Sequence, residues 1–281
     1  MSYLPNTNVL GSIVRNVAKI YRRDFGELQH LQNSKKSINE FVQKSKSRVE
    51  FYIIDELKEK YSKNGYEFIS ISNTSKNDFE TASFPKNSFI INALEGEMNF
   101  TRGIPLFCIT IAHIKDGIVQ NSIVYNPISD EVFIGEKGIS ARYNNKRMSV
   151  SSEVSSDNAM ISIDERLDLF NNDIDDVFLK YLNSVNSIRQ MGAISLEVCM
   201  VSNGALNCFI GHNESKHTVI AALLILEESG GEINRLSLKG KSQKNYFIVS
   251  NQKIYDNLIK GLSLIHISEP TRLGMISYAV F

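Results

Sequence analysis

The chain lacks an excess of charge of either sign: 31 Lys and Arg balance 31 Asp and Glu over 281 residues. Without a net field there is no long-range steering toward nucleic acid or an anionic membrane, so binding driven by bulk charge is not expected. Cysteine is scarce, and Cys108, Cys199 and Cys208 stand in apolar runs without CxxC spacing. That pattern argues against a disulfide framework or zinc cluster and for buried thiols in a reducing compartment, so the expected location is cytoplasmic. No apolar run approaches the roughly 18 residues of a membrane span, and the opening MSYLPNTNVL has no charged start followed by an apolar core. Repeats and low-complexity linkers are also missing. What the chain does have is 42% hydrophobic residues, enough for a sizeable core.

Periodicity divides the chain into two kinds of region. Val9, Leu10, Ile13, Val14, Val17, Ile20 and Tyr21 recur at helical spacing, and a second helix is expected from about Ser45 to Tyr61. Short β-branched and aromatic runs follow at 68–71, 88–94, 106–114, 118–125 and 132–134, with Asp116 and Gly117 marking a hairpin. Beyond about residue 150 strand and helix alternate. Strands are expected at 160–163, 205–210 and 246–249, and helices near 174–182, 195–202 and 219–228, the last closed by Gly230 and Gly231. Thr218 reads as the N-cap of that last helix.

The most distinctive stretch is residues 90–100, IINALEGEMNF. Two apolar residues lead into a polar turn, Asn92 and Glu95 stand three apart, Gly96 follows, and Asn99 with Phe100 closes the run. This resembles the motif of the inositol monophosphatase family, roughly DPxDGTxNF after an apolar strand. Blocks at 103–105, 126–145 and 227–233 resemble the same family in the expected order. The resemblance covers about residues 9–257 and implies an α+β to α/β protein, a layered α-β-α-β-α sandwich. The whole is read as a single unit over residues 1–261, an α+β part to about 150 and an α/β part after it.

The resemblance also implies an Mg2+-dependent phosphatase site, and here the sequence departs from the pattern. Mg2+ takes hard oxygen ligands in near-octahedral array, shared between carboxylates and substrate phosphate. The positions expected to hold metal carry Ile71 (or Ser72), Asn92, Glu95 and Thr218, so one carboxylate of four remains. The two positions that orient the attacking water carry Gln43 and Lys46, and Glu97 stands where the motif has its threonine. Phosphate and substrate contacts are expected at Gly96, Glu97, Met98 and Ala193, and the position of a sugar-contacting acid is Gly211.

These departures lead to the expectation of a catalytically impaired or inactive family member retained in a binding or regulatory role, and the resemblance implies that it is a homodimer. The alternative is a weak Mg2+-dependent phosphomonoesterase acting on inositol or sugar monophosphates through Glu95 and Glu97. No cofactor is expected in the first case and Mg2+ in the second. Expected partners are a second copy of the chain and a phosphorylated small molecule or a protein. Lys35, Lys36, Lys44, Lys46 and Arg48, and the run at 239–244, read as solvated basic faces, since RNA binding would call for interleaved aromatics. His113, His212 and His217 lack metal-ligand spacing. Residues 262–281, which include LSLIHISEPTR and ISYAVF, read as translated sequencing adapter rather than as part of the fold.

Overall fold

A computed structural model describes residues 5–31, 35–71, 85–153, 155–164, 182–212, 218–238 and 244–263. Two long helices lead, α1 (Pro5–Leu31) and α2 (Lys35–Tyr61). The helix α2 begins about ten residues before the expected start. Ile38, Val42, Val49, Ile53 and Leu57 are all buried at near-helical spacing, which carries the apolar stripe back through the preceding polar block.

Seven strands then form one sheet in sequence order: β1 (Glu67–Ser70), β2 (Ser88–Glu95), β3 (Cys108–Lys115), β4 (Ile118–Asn126), β5 (Glu131–Glu136), β6 (Ser140–Tyr143) and β7 (Lys146–Arg147). β1 pairs parallel with β2, and every later pair is antiparallel. The turn between β3 and β4 uses Asp116 and Gly117, both at positive φ, as a tight hairpin of this twist requires. A five-stranded sheet has the order β11-β12-β10-β8-β9. Its members are β8 (Met160–Ile163), β9 (Ser187–Arg189), β10 (Cys208–His212), β11 (Glu232–Leu238) and β12 (Lys244–Ser250). β10 begins at Cys208, so 205–207, expected as strand, form the irregular bend before it.

Three further helices are α4 (Ile194–Ser202), α5 (Ile220–Glu228) and α6 (Gln252–Ser263). The short helix α3 (Glu97–Thr101) opens directly after β2. The layers run α1/α2, seven-stranded sheet, α4/α5, five-stranded sheet, α6, the expected sandwich.

Alternation along β2 divides its side chains between two cores. Phe89, Ile91 and Ala93 join the core under α1 and α2, and Ile90 joins the core shared with α4 and α5. A strand covered on both faces has no polar side, which is why 88–94 read as a continuous apolar run. The same logic applies to α5, whose residues 220–226 are all buried between two sheets. Each Leu or Ile buried there stabilises the layers by about 1.5–3 kcal/mol. The expected helix near 174–182 lies almost wholly outside the described residues, as do 239–243 and 264–281.

Candidate functional site

The site is built at the carboxyl end of β2. The ladder between β2 and β3 is regular from Ser88 to Asn92 and then breaks its register before Glu95, which pairs with Cys108. Gly96 follows at φ 85°, and a Cβ there would lie 2.8 Å from the Leu106 carbonyl oxygen, so only glycine fits. This bulge and turn send two nearby carboxylates to opposite sides of the sheet.

Glu95 goes inward. Its Oε1 accepts the Ser195 backbone N–H at 2.5 Å and its Oε2 accepts the Ser195 hydroxyl at 2.6 Å. Ser195 lies in the first turn of α4, where unpaired N–H groups and the helix dipole favour a negative charge. The Thr218 carbonyl oxygen is 3.4 Å from the same hydroxyl. Thr218 is not the N-cap of α5, contrary to expectation. That place is taken by Val219, with no side-chain cap, because the first turn starts one residue later. Asn92 is buried on the face it shares with Ile90, and Ile71 packs by its side chain against the inner core.

Glu97 goes outward, to α2. Gln43 and Lys46 stand three apart on one face of α2 and reach the same carboxylate. Gln43 Nε2 donates to Oε1 at 2.7 Å and Lys46 Nζ to Oε2 at 3.1 Å. Three positions singled out in the sequence thus meet. α2 is itself held against α1 by Asp24, a fully buried carboxylate that accepts from Arg23, from the Ser45 hydroxyl at 2.6 Å and from Arg48 at 2.6 Å. Ser45 and Arg48 bracket Lys46, so this buried charge, stable only because it is fully paired, sets the register of the helix that presents Lys46.

The turn that precedes α4 is supported from two directions. Asn99 Nδ2 donates to the Leu106 carbonyl at 2.8 Å and the Met191 carbonyl at 2.6 Å, joining α3 to that turn. The Met191 N–H donates to Glu197 Oε1 at 3.1 Å, and the Ser162 hydroxyl donates to the same oxygen. Burial pushes the Glu197 carboxyl up from its ordinary value. Gly192 has φ 70°, and Ala193, buried, is the N-cap of α4. Met98 is 63% exposed. A side chain at Gly211 would overlap the Phe247 ring and come within 2.7 Å of Phe209 Cε1. The place where the resemblance expects an acid is therefore filled by aromatic rings.

Around this core the chemistry is quiet. All three cysteines are buried, and burial pushes their thiols up, Cys208 to about 12, which marks them as unreactive. His113 is buried between Asn121 and Tyr66 and its imidazole is held below its ordinary value by burial. A cavity of about 500 Å³ runs along α2 past Gln43, Lys46, Phe51, Ile54 and Lys58. The roles of Ser195, Asp24 and Glu197 were not legible in the sequence, since each depends on a partner far along the chain. Ser72 and His217 lie outside the described residues.

Comparison with known proteins shows the family and the fold. A sequence model described as "Inositol monophosphatase family" matches residues 5–266. The inositol-1-monophosphatase of Rhizobium meliloti is 30% identical over 226 residues, 80% of this chain and 83% of that protein. A putative Nus factor SuhB of Neisseria meningitidis is 26% identical over 266 residues, 92% and 98% of the two chains. Among solved structures, the extragenic suppressor protein suhB of Bartonella henselae superposes with a TM-score of 0.73 at 24% identity, covering 93% of this chain and 100% of its own. An IMPase of Thermotoga maritima also reaches 0.73, at 19% identity, covering 93% and 98%. At these identities the two structures establish the shared fold.

Proposed function

The chain belongs to the inositol monophosphatase family, and from that premise we propose that it is a catalytically disarmed member, retained as a binding or regulatory homodimer. The observation that carries this reading is the bond of Lys46 and Gln43 to Glu97. Family resemblance assigns those three positions to orienting the attacking water. Here they satisfy one another, with an ammonium where an acid is expected.

The donor set also does not fit magnesium. A divalent ion needs several anionic oxygens, and the four expected positions offer an amide at Asn92, an alkyl group at Ile71, the hydroxyl and carbonyl of Thr218 and one carboxylate. That carboxylate, Glu95, is hydrogen-bonded through both oxygens to Ser195. Lys46 places a further positive charge beside Glu97. The name of the Neisseria relative is that of a Nus factor rather than of an enzyme, and a partner-binding role for this chain is in keeping with it.

The test is phosphate release from inositol monophosphate with Mg2+ present. Release at the rate of the protein-free control is the expected result, and Mg2+-dependent turnover would overturn the proposal in favour of the weak phosphomonoesterase. That second reading draws on the Rhizobium relative and on the two carboxylates kept beside Gly96. A restored site sharpens the comparison. The combination Ile71→Glu, Asn92→Asp, Glu95→Asp and Thr218→Asp should bind Mg2+ by calorimetry only weakly. Adding Lys46→Asp and Glu97→Thr should strengthen that binding, because the competing cation and its partner are then removed together.

A further inference from the structure

We infer that Glu95 and Glu97 act as a metal-free clamp that fastens three layers of the sandwich at one turn. The inference rests on the proposal that this site holds no magnesium, and it assigns the two carboxylates a different use. Glu95 ties the end of β2 to α4 in the layer below, through the Ser195 N–H and hydroxyl. Two residues on, Glu97 ties the start of α3 to α2 in the layer above, through Gln43 and Lys46. Between them Gly96 leaves no slack, since its backbone is packed against Leu106 and Phe107. Asn99 adds a tie from α3 to the Met191 carbonyl, in the turn that precedes α4.

The geometry suits a fastener better than an ion site. In a metal centre, carboxylate oxygens from separate elements converge on one point and the ion supplies the cohesion. Here the two carboxylates diverge, each ending on donors of a different helix. The longer Glu stem at position 95 matters in this respect, because its carboxylate bridges both donors of Ser195. An Asp at the same backbone position is one methylene shorter.

The experiment is thermal unfolding of the full chain with Mg2+ and with EDTA, followed by the same measurement on Ser195→Ala, Glu95→Gln, Glu95→Asp and the double variant Ser195→Ala/Glu95→Gln. The native chain should melt at the same temperature in both buffers. Ser195→Ala and Glu95→Asp should each lower the melting temperature by several degrees, about 4–8 °C, given roughly 2–4 °C per kcal/mol for a chain of this size. Because they break one bond set, Ser195→Ala and Glu95→Gln should be non-additive in the double variant. If Glu95→Gln does not fold, Ser195→Ala with Lys46→Met carries the test: each should speed hydrogen exchange at the 95–99 amides. A melting temperature that rises with Mg2+ or falls with EDTA overturns the clamp, and so does full additivity at Ser195 and Glu95. Additivity without phosphate release would sink the clamp alone. Turnover in a chain whose melting ignores Mg2+ would instead sink the proposed function.

Discussion

Glu95 and Glu97 are two residues apart and carry the same carboxylate, yet they sit in opposite surroundings. Glu95 is nearly buried and meets the N-terminal turn of α4, whereas the Glu97 side chain is 40% exposed and its Lys46 partner 17% exposed. Burial raises the worth of a satisfied hydrogen bond and the cost of a broken one, while an exposed ion pair is screened by water and salt. One turn thus holds a strong tie and a weak one. The difference comes from where the backbone sends each side chain and not from the residue type.

The largest effect should come from the buried side. Glu95→Ala strands the buried Ser195 N–H and leaves its hydroxyl only the Thr218 carbonyl at 3.4 Å, and a loss of about 2–4 kcal/mol is expected by chemical denaturation. A loss below about 1 kcal/mol would erase the contrast between the two carboxylates.

A smaller effect tests whether acid sensitivity belongs to the turn or to the sheet. His113 is held below its ordinary value, chiefly by burial, so its neutral form is the one the fold favours. Its contribution is complete above the unfolded value near 6.5 and is lost as pH falls through the lower folded value. Tyr66 and Asn121 contact the ring and Lys115 opposes its charging. Stability measured from pH 7.5 down to 5 should therefore fall, and a His113→Gln variant should flatten the slope. An unchanged slope in that variant would move the acid sensitivity elsewhere.

The smallest effect is expected at the exposed side. Lys46→Met and Glu97→Gln should each cost no more than about 1 kcal/mol, and their coupling in a double-mutant cycle should shrink in 1 M salt. A salt-insensitive coupling above that size would make the two sides equivalent.

Much of this was legible in the sequence, for identifiable reasons. Residues 88–94 read as a strand because both faces are buried, and the polar turn at Gly96 falls where the motif put it. Resemblance brought Gln43, Lys46 and Glu97 forward as one chemical group, and they do meet. What remained hidden depends on distant partners or on marginal local signals. Ser195 is 100 positions from Glu95, and nothing local in either residue announces the other. Thr218 has the right chemistry for an N-cap, but the first turn of α5 is fixed by packing between two sheets. β6, β7 and β9 are only two to four residues long and too short for a period to emerge. β11 was masked by the glycines of the turn before it, and α6 was not anticipated at all.

The fixed glycine at position 96 has a practical meaning for anyone who would re-engineer this turn. A library that randomises the whole 92–98 stretch would consist largely of chains unable to form the turn, whatever ligands they carried. Holding position 96 constant and varying 92, 95 and 97 together with 43 and 46 turns an intractable search into a five-site problem. It also couples the two helical layers within a single selection.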